Sequence, residues 1–325
     1  MNGPSWTPEE WADGIRRADR AFLGRALSLV ESHLDEDAER AAALFAALGP
    51  APQQSLRLAI TGNPGAGKST LTEALGLHWA DMGQHVAVLA VDPSSSLHRG
   101  SILGDKTRMD LLSKHPKAFI RPVASGGQLG GVAASTRAAI ELLEYAGYTR
   151  IILETVGVGQ NETDAAHYVD VMLLLALPNT GDEVQGIKRG IMECADLLAV
   201  NKCDGSLVEA GVRAAAQLRE SLKWFRRDDG WNVPVIALSA QTRQGLIELD
   251  EALNRFERWT RGTGQFDARR AQQRAHAWSE AWQRFVAHWA EEQPNLARAK
   301  AQAKEAFDQG QSAEAALRAA FYAKK

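Results

Sequence analysis

Two periodicities divide the chain. From Trp11 to Leu48 apolar residues recur at helical spacing, with Leu23, Leu27, Val30 and Leu34 forming one stripe and Leu44 and Leu48 another. The breaker run Gly49-Pro50-Ala51-Pro52 ends the pattern, so residues 1–52 are predicted to form an N-terminal helical pair. Short β-rich runs then alternate with helical segments: Leu56–Thr61, Val86–Val91, Ala118–Arg121, Arg150–Thr155, Val171–Leu177, Leu197–Asn201 and Pro234–Ser239. Val/Ile/Leu runs without polar alternation belong to strands buried on both faces, and the intervening helices supply the cover. Residues 53–262 are therefore expected to form a doubly wound α/β domain around a mainly parallel sheet.

After Arg261 the strand signal disappears. Residues 263–325 form a helical C-terminal region rich in Ala, Arg, Gln and Glu, with Trp278, Trp282, Phe285 and Trp289 spaced to share one helix face. Such a face has to be buried, either against the core or against a second copy, and the second option makes the region a dimerisation arm. No internal repeat or low-complexity tract interrupts the chain.

Composition narrows the function classes. With 325 residues, 45 % hydrophobic and 24 % charged, the chain can build a full-sized core. A formal net charge of -3 gives no bulk attraction to nucleic acid or an anionic membrane, so neither is expected as a partner. The longest apolar run, Val171 to Leu177, is too short to span a bilayer, and the first residues lack the apolar core of a secretory signal. Cys194 and Cys203 form no C-x-x-C or Cys/His cluster, which fits small residues in a reducing cytoplasm.

The densest chemistry begins at the end of the first strand. Gly62-Asn63-Pro64-Gly65-Ala66-Gly67-Lys68-Ser69 matches G-x-x-x-x-G-K-[ST] at every fixed position and precedes a predicted helix opened by Lys68, Ser69 and Thr70. Glycines let backbone N–H groups converge on phosphate oxygens, Lys68 adds a point charge, and the Ser69 hydroxyl suits a Mg ion at the helix N-terminus.

Base selection is expected at another strand end. Asn201-Lys202-Cys203-Asp204 is an N-K-x-D match, and the Asp204 carboxylate can accept from N1–H and the 2-amino group of guanine. Adenine offers neither donor and would leave a desolvated carboxylate unpaired, so GTP is favoured over ATP. Ser239-Ala240, after the next strand, brings a backbone amide that could meet the guanine oxygen. Between phosphate and base, Asp92 and Glu154 each follow an apolar run, where a Mg ion or its waters need anionic partners. Either could instead be a helix cap or turn residue. Asp105 is a further candidate for the metal or the attacking water and Arg108 for a phosphate, with an ordinary helix start as the other reading.

Taken together, AVDPSSSLHRGSILGDKTRM, FIRPVASGGQLGGVA, ETVGVGQNETD, GDEVQGIKRG and NKCD resemble the MeaB/ArgK-type GTPases, the G-protein chaperones of adenosylcobalamin-dependent acyl-CoA mutases. The resemblance runs from about Ala21 to Arg261. It implies a homodimeric, Mg-dependent GTPase that docks on a mutase, gates cofactor loading and helps remove inactive cobalamin. By that likeness Lys68 and Ser69 hold phosphate and metal; Asp92, Asp105 and Glu154 surround the Mg ion; and Asn201, Lys202 and Asp204 read guanine. Segments similar to the family switches span Asp92–Arg108, Glu154–Glu162 and Pro178–Lys188, the last carrying Asp182, Glu183 and Lys188. Departures lie at Gly127 and Gln128, where relatives are often serine-rich, and in the weakly similar C-terminal tail.

Gly157 is followed by Val158, which cannot orient water as the Gln of many signalling GTPases does, so intrinsic turnover is expected to be slow and raised by a partner. Gln160 could substitute if the loop folds back. None of the 8 histidines follows an Asp by two residues, so the chain has no D-x-H-x-x-G match and is not expected to bind cobalamin in that mode. A nickel or other metal-insertion GTPase would share the sheet but usually brings a His-rich tract, and a transport-related kinase would not need N-K-x-D.

Overall fold

The apolar runs fold as one sheet in a computed structural model that describes residues 6–32, 34–52, 55–92, 109–124, 131–155, 164–178, 189–224 and 227–322. Its strands are β1 (Leu56–Gly62), β2 (Val86–Asp92), β3 (Ala118–Ala124), β4 (Arg150–Glu154), β5 (Val171–Ala176), β6 (Leu197–Val200) and β7 (Val235–Ala237). Their spatial order is β3-β2-β4-β1-β5-β6-β7, and every pairing is parallel. β1 sits mid-sheet because Leu58 pairs with Ile152 on one side and Val171 on the other. β1 and β5 are buried along their whole length, as strands covered on both faces must be.

The described helices are α1 (Pro8–Arg16), α2 (Arg20–Val30), α3 (Asp35–Leu48), α4 (Lys68–Asp81), α5 (Asp110–Lys114), α6 (Gly131–Tyr145), α7 (Arg189–Cys194), α8 (Val208–Leu222), α9 (Leu246–Gly262), α10 (Gln265–Glu292), α11 (Pro294–Asp308) and α12 (Ala313–Tyr322). Alternating β1 side chains feed two cores. Leu56, Leu58 and Ile60 pack with Leu71, Leu75 and Trp79 of α4 and with Leu249, Leu253 and Phe256 of α9. Ala59 joins Ile151, Leu153, Ile140 and Leu143, together with Leu23, Leu27 and Leu44 of the N-terminal helices. Truncating a fully buried leucine such as Leu75 to Ala would cost roughly 2–5 kcal/mol.

The N-terminal expectation needs correction: among the described residues of this region there are three helices, not two. Thr7 and Glu10 form a capping box that starts α1, while Ala18 turns the chain at φ 56° and Asp19 accepts from Ala21 and Phe22 to open α2. Leu34 does not continue the Leu23–Leu27 stripe; α2 ends at Val30, and Leu34 stands 66 % exposed at the start of α3.

By internal contacts the chain divides into residues 1–270 and 271–325. In the first unit an ionic seam closes the N-terminal ends of the strands. Arg57 is bidentate to Glu144 at 2.9 and 2.7 Å, while Arg270 reaches Glu144 at 3.0 Å and Asp170 at 2.5 and 2.6 Å. Asp196 accepts from Arg269 at 2.9 and 3.1 Å and from Arg227 at 3.0 Å. These contacts fix the first turns of α10. In the second unit α11 and α12 pack on one another and bury Ala303 and Ala316.

Candidate nucleotide site

The loop between β1 and α4 has the backbone that its glycines permit. Gly62 lies at φ 143°, and a Cβ there would stand 2.3 Å from the Leu175 carbonyl oxygen of β5. Gly67 lies at φ 89°, with a hypothetical Cβ 2.4 Å from Asn201 Nδ2. Both positions exclude a side chain on two counts, conformation and space. The Ala66 amide donates to Asn63 O at 3.1 Å, closing a turn directly before α4.

Lys68, at the first position of α4, is buried, and its ammonium donates to Gly62 O at 2.7 Å and Asn63 O at 3.3 Å. One residue on, Ser69 Oγ donates to Glu154 Oε1 at 2.5 Å. Glu154 ends β4 in register with Ile60 of β1, so adjacent strands deliver the loop and the carboxylate to the same place. Thr70 is exposed. Thr155 then ties the end of β4 to β1 by donating from its amide and hydroxyl to Ile60 O, at 3.2 and 3.3 Å.

The N-K-x-D segment follows β6 and meets the loop directly. Buried Asn201 donates through Nδ2 to Ala66 O at 2.8 Å and accepts through Oδ1 from the Ala240 amide at 2.9 Å. One side chain thereby joins the P-loop to the segment after β7. The Ser239 amide bonds Gln244 O at 2.9 Å, so both amides of the Ser239-Ala240 pair are engaged inside the protein. Lys202 is exposed at φ 61°, an unusual conformation for a non-glycine residue, and its Cε comes 4.0 Å from the position of a Gly67 Cβ. Asp204 is half-buried, and its side chain does not cap the short 3-10 turn Gly205–Leu207. Cys203 is buried between them, held against α8 at Gly211; desolvation pushes its thiol up and makes it a packing residue.

Several expected residues fall outside this description. Asp105, Arg108, Gly157, Val158, Gln160, Asp182, Glu183 and Lys188 lie beyond the described residues, and of Asp92 only the backbone, at the end of β2, is described. Among the described residues no three His, Cys, Asp or Glu side chains form a metal-holding group, and no helix is long and apolar enough to cross a membrane. The double hydrogen bond of Asn201 has no signal in local spacing, since its partners are 135 and 39 residues away in sequence.

A parallel sheet of this order, with a Lys-Ser phosphate loop after its middle strand and an N-K-x-D segment clipped to that loop, defines a P-loop nucleoside triphosphatase of the GTPase class. The chain belongs to the family described as Methylmalonyl Co-A mutase-associated GTPase MeaB, which matches residues 23–294. It is 48% identical over 258 residues to a putative GTPase of Caulobacter vibrioides, covering 79% of each chain. It is 43% identical over 261 residues to GTPase ArgK of Escherichia coli, covering 80% of this chain and 78% of that one. The mouse methylmalonic aciduria type A homolog, mitochondrial, is 40% identical over 288 residues, covering 85% and 69%. Among solved structures, one described as LAO/AO transport system kinase superposes over 98% of both chains with a TM-score of 0.77 and 33% identity.

Proposed function

We propose that this chain is a Mg-dependent GTPase that acts as a chaperone of an adenosylcobalamin-dependent acyl-CoA mutase, gating cofactor loading and the removal of inactive cobalamin. The observation that carries the nucleotide half is the Asn201 clip, which joins the phosphate loop to both base-side segments. The mutase half rests on the family and on the mouse relative's name.

The donor set beside the loop fits a hard cation. Ser69 Oγ and Glu154 Oε1 are neighbouring oxygens, and Mg takes few protein oxygens together with water and phosphate. Ser69 and Glu154, with Asp92 and Asp105 by family likeness, would hold it; when bound, it neutralises charge developing between the β- and γ-phosphates. Lys68 supplies the fixed positive charge from a buried position, where it counts for more than in water. Asp204 selects guanine, and Lys202 lies along the loop. Arg108, Asp182, Glu183 and Lys188 couple nucleotide state to the partner. With Val158 after Gly157, basal turnover is slow and the mutase accelerates it.

The test is GTP hydrolysis with Mg, alone and with a candidate mutase, using ATP as control and Lys68→Ala as blank. A slow GTP-only rate raised severalfold by the mutase supports the whole proposal. A GTP rate indifferent to every such mutase removes the chaperone role and leaves the GTPase.

A further inference from the structure

Glu73 belongs to neither the phosphate loop nor the N-K-x-D segment, yet it is one helical turn beyond Ser69 on α4. Residues 69, 73 and 76 share a face of this helix by their spacing. Along that face the helix holds the segment Met109–His115, which enters after the connection from β2. Glu73 Oε1 accepts from the Leu111 amide at 2.9 Å and from the Leu112 amide at 3.4 Å, capping the free N–H groups that begin α5. Gly76 makes room for Leu112, whose Cδ2 would stand 2.5 Å from a Cβ at residue 76. Met109 and Leu112 are both buried in the α4 core, and at the far end His115 Nε2 lies 3.7 Å from Asp81.

We propose that Glu73 is a positioning residue for the Mg-triphosphate state, because it anchors the end of the β2–α5 connection to the same helix that carries Lys68 and Ser69. The inference rests on the GTPase reading above. Arg108 directly precedes Met109 and Asp105 stands four residues before it. Sequence connectivity alone therefore ties the anchored segment to both candidates. A carboxylate accepting backbone N–H bonds is a stronger tie than a neutral acceptor. Binding of GDP, which lacks the γ-phosphate, draws on the loop and the base segments and needs the anchor less.

The test compares the full chain with Glu73→Ala and Glu73→Gln. Affinities for GDP and for a GTP analogue with a non-hydrolysable β,γ bridge, both with Mg, are read by competition with a fluorescent guanine nucleotide, alongside kcat for GTP. In Glu73→Ala, analogue affinity and kcat should each fall at least about tenfold, the worth of a backbone bond to a charged group. GDP affinity should stay within about twofold, and Glu73→Gln, which keeps an acceptor oxygen, should restore most of both losses. Equal loss of GDP and analogue affinity would reduce Glu73 to a structural cap and overturn the inference, as would an alanine variant that matches the wild type. If the wild type itself neither binds guanine nucleotides nor hydrolyses GTP, the underlying GTPase reading fails instead.

Discussion

At the residue scale, the site depends on side chains that serve two segments at once. Asn201 is buried, and removing its amide strands the Ala66 carbonyl and the Ala240 amide together. Each buried group left without a partner costs about 1–3 kcal/mol. Asn201→Ala should therefore weaken GDP and GTP alike by at least about tenfold, measured by nucleotide titration, whereas loss of a guanine contact alone would chiefly erode discrimination against ATP. Lys68→Ala carries a different expectation: hydrolysis should drop by about 10²–10³, as when a preorganised charge is removed from a reacting phosphate. The glycines of the loop were legible in the sequence because their spacing is the motif. That Gly67 must be bare because Asn201 Nδ2 occupies its Cβ site was not legible, since the two residues meet only after β6 is laid beside β5.

At the element scale, the strands of the described residues were readable because the inner ones are mostly apolar runs, as burial on both faces demands, while the edge strands β3 and β7 are less buried and β3 carries Arg121. The third N-terminal helix was hidden by the same kind of signal that reveals helices. The apolar stripes pass the Ala18 turn without a proline or glycine to mark it, and only the Asp19 cap shows the break. The ionic seam was unreadable for another reason: Arg57 and Glu144 lie 87 residues apart, and Arg270 bonds Ser55 O across 215. The seam invites a stability test. Arg270→Ala leaves Glu144 and Asp170 buried with less compensation, which costs roughly 3–5 kcal/mol and lowers the melting temperature by on the order of 10 °C. Burial alone would raise the Glu144 carboxyl, but the hydrogen bonds and charge of Arg57, with Arg270 and Ser55, outweigh it and hold it low. Its folded pKa is depressed, so its contribution is present above the unfolded value near 4.3 and is lost as pH falls through the lower folded value. Glu144→Gln should therefore flatten the stability–pH curve below about pH 4, as read by chemical denaturation across an acid series.

At the scale of the whole molecule, the aromatic stripe of α10 asks what covers it. Trp278, Trp282, Phe285 and Trp289 are 70%, 55%, 61% and 46% exposed in the single chain, and the first three rings stack in sequence at 6.4 and 6.2 Å. Aromatic side chains bury about 150–250 Å² each, so four of them supply a large share of the roughly 800 Å² per partner that a stable interface needs. Leaving that stripe in water forfeits a substantial apolar gain, and a second copy offers an identical stripe at equal concentration. Of the two fates expected for this face, packing on the chain's own core and packing on a second copy, we propose the second, a homodimer built on residues 263–325 in which the stacked rings of α10 form the contact. Trp282→Glu should then shift the mass in solution from dimer to monomer at micromolar concentration, read by sedimentation or light scattering, while basal GTP hydrolysis per chain stays unchanged because Trp282 lies outside the nucleotide machinery. A wild-type chain that sediments as a monomer at every accessible concentration would remove the second copy as the occupant and leave the chain's own core as the remaining cover for this face.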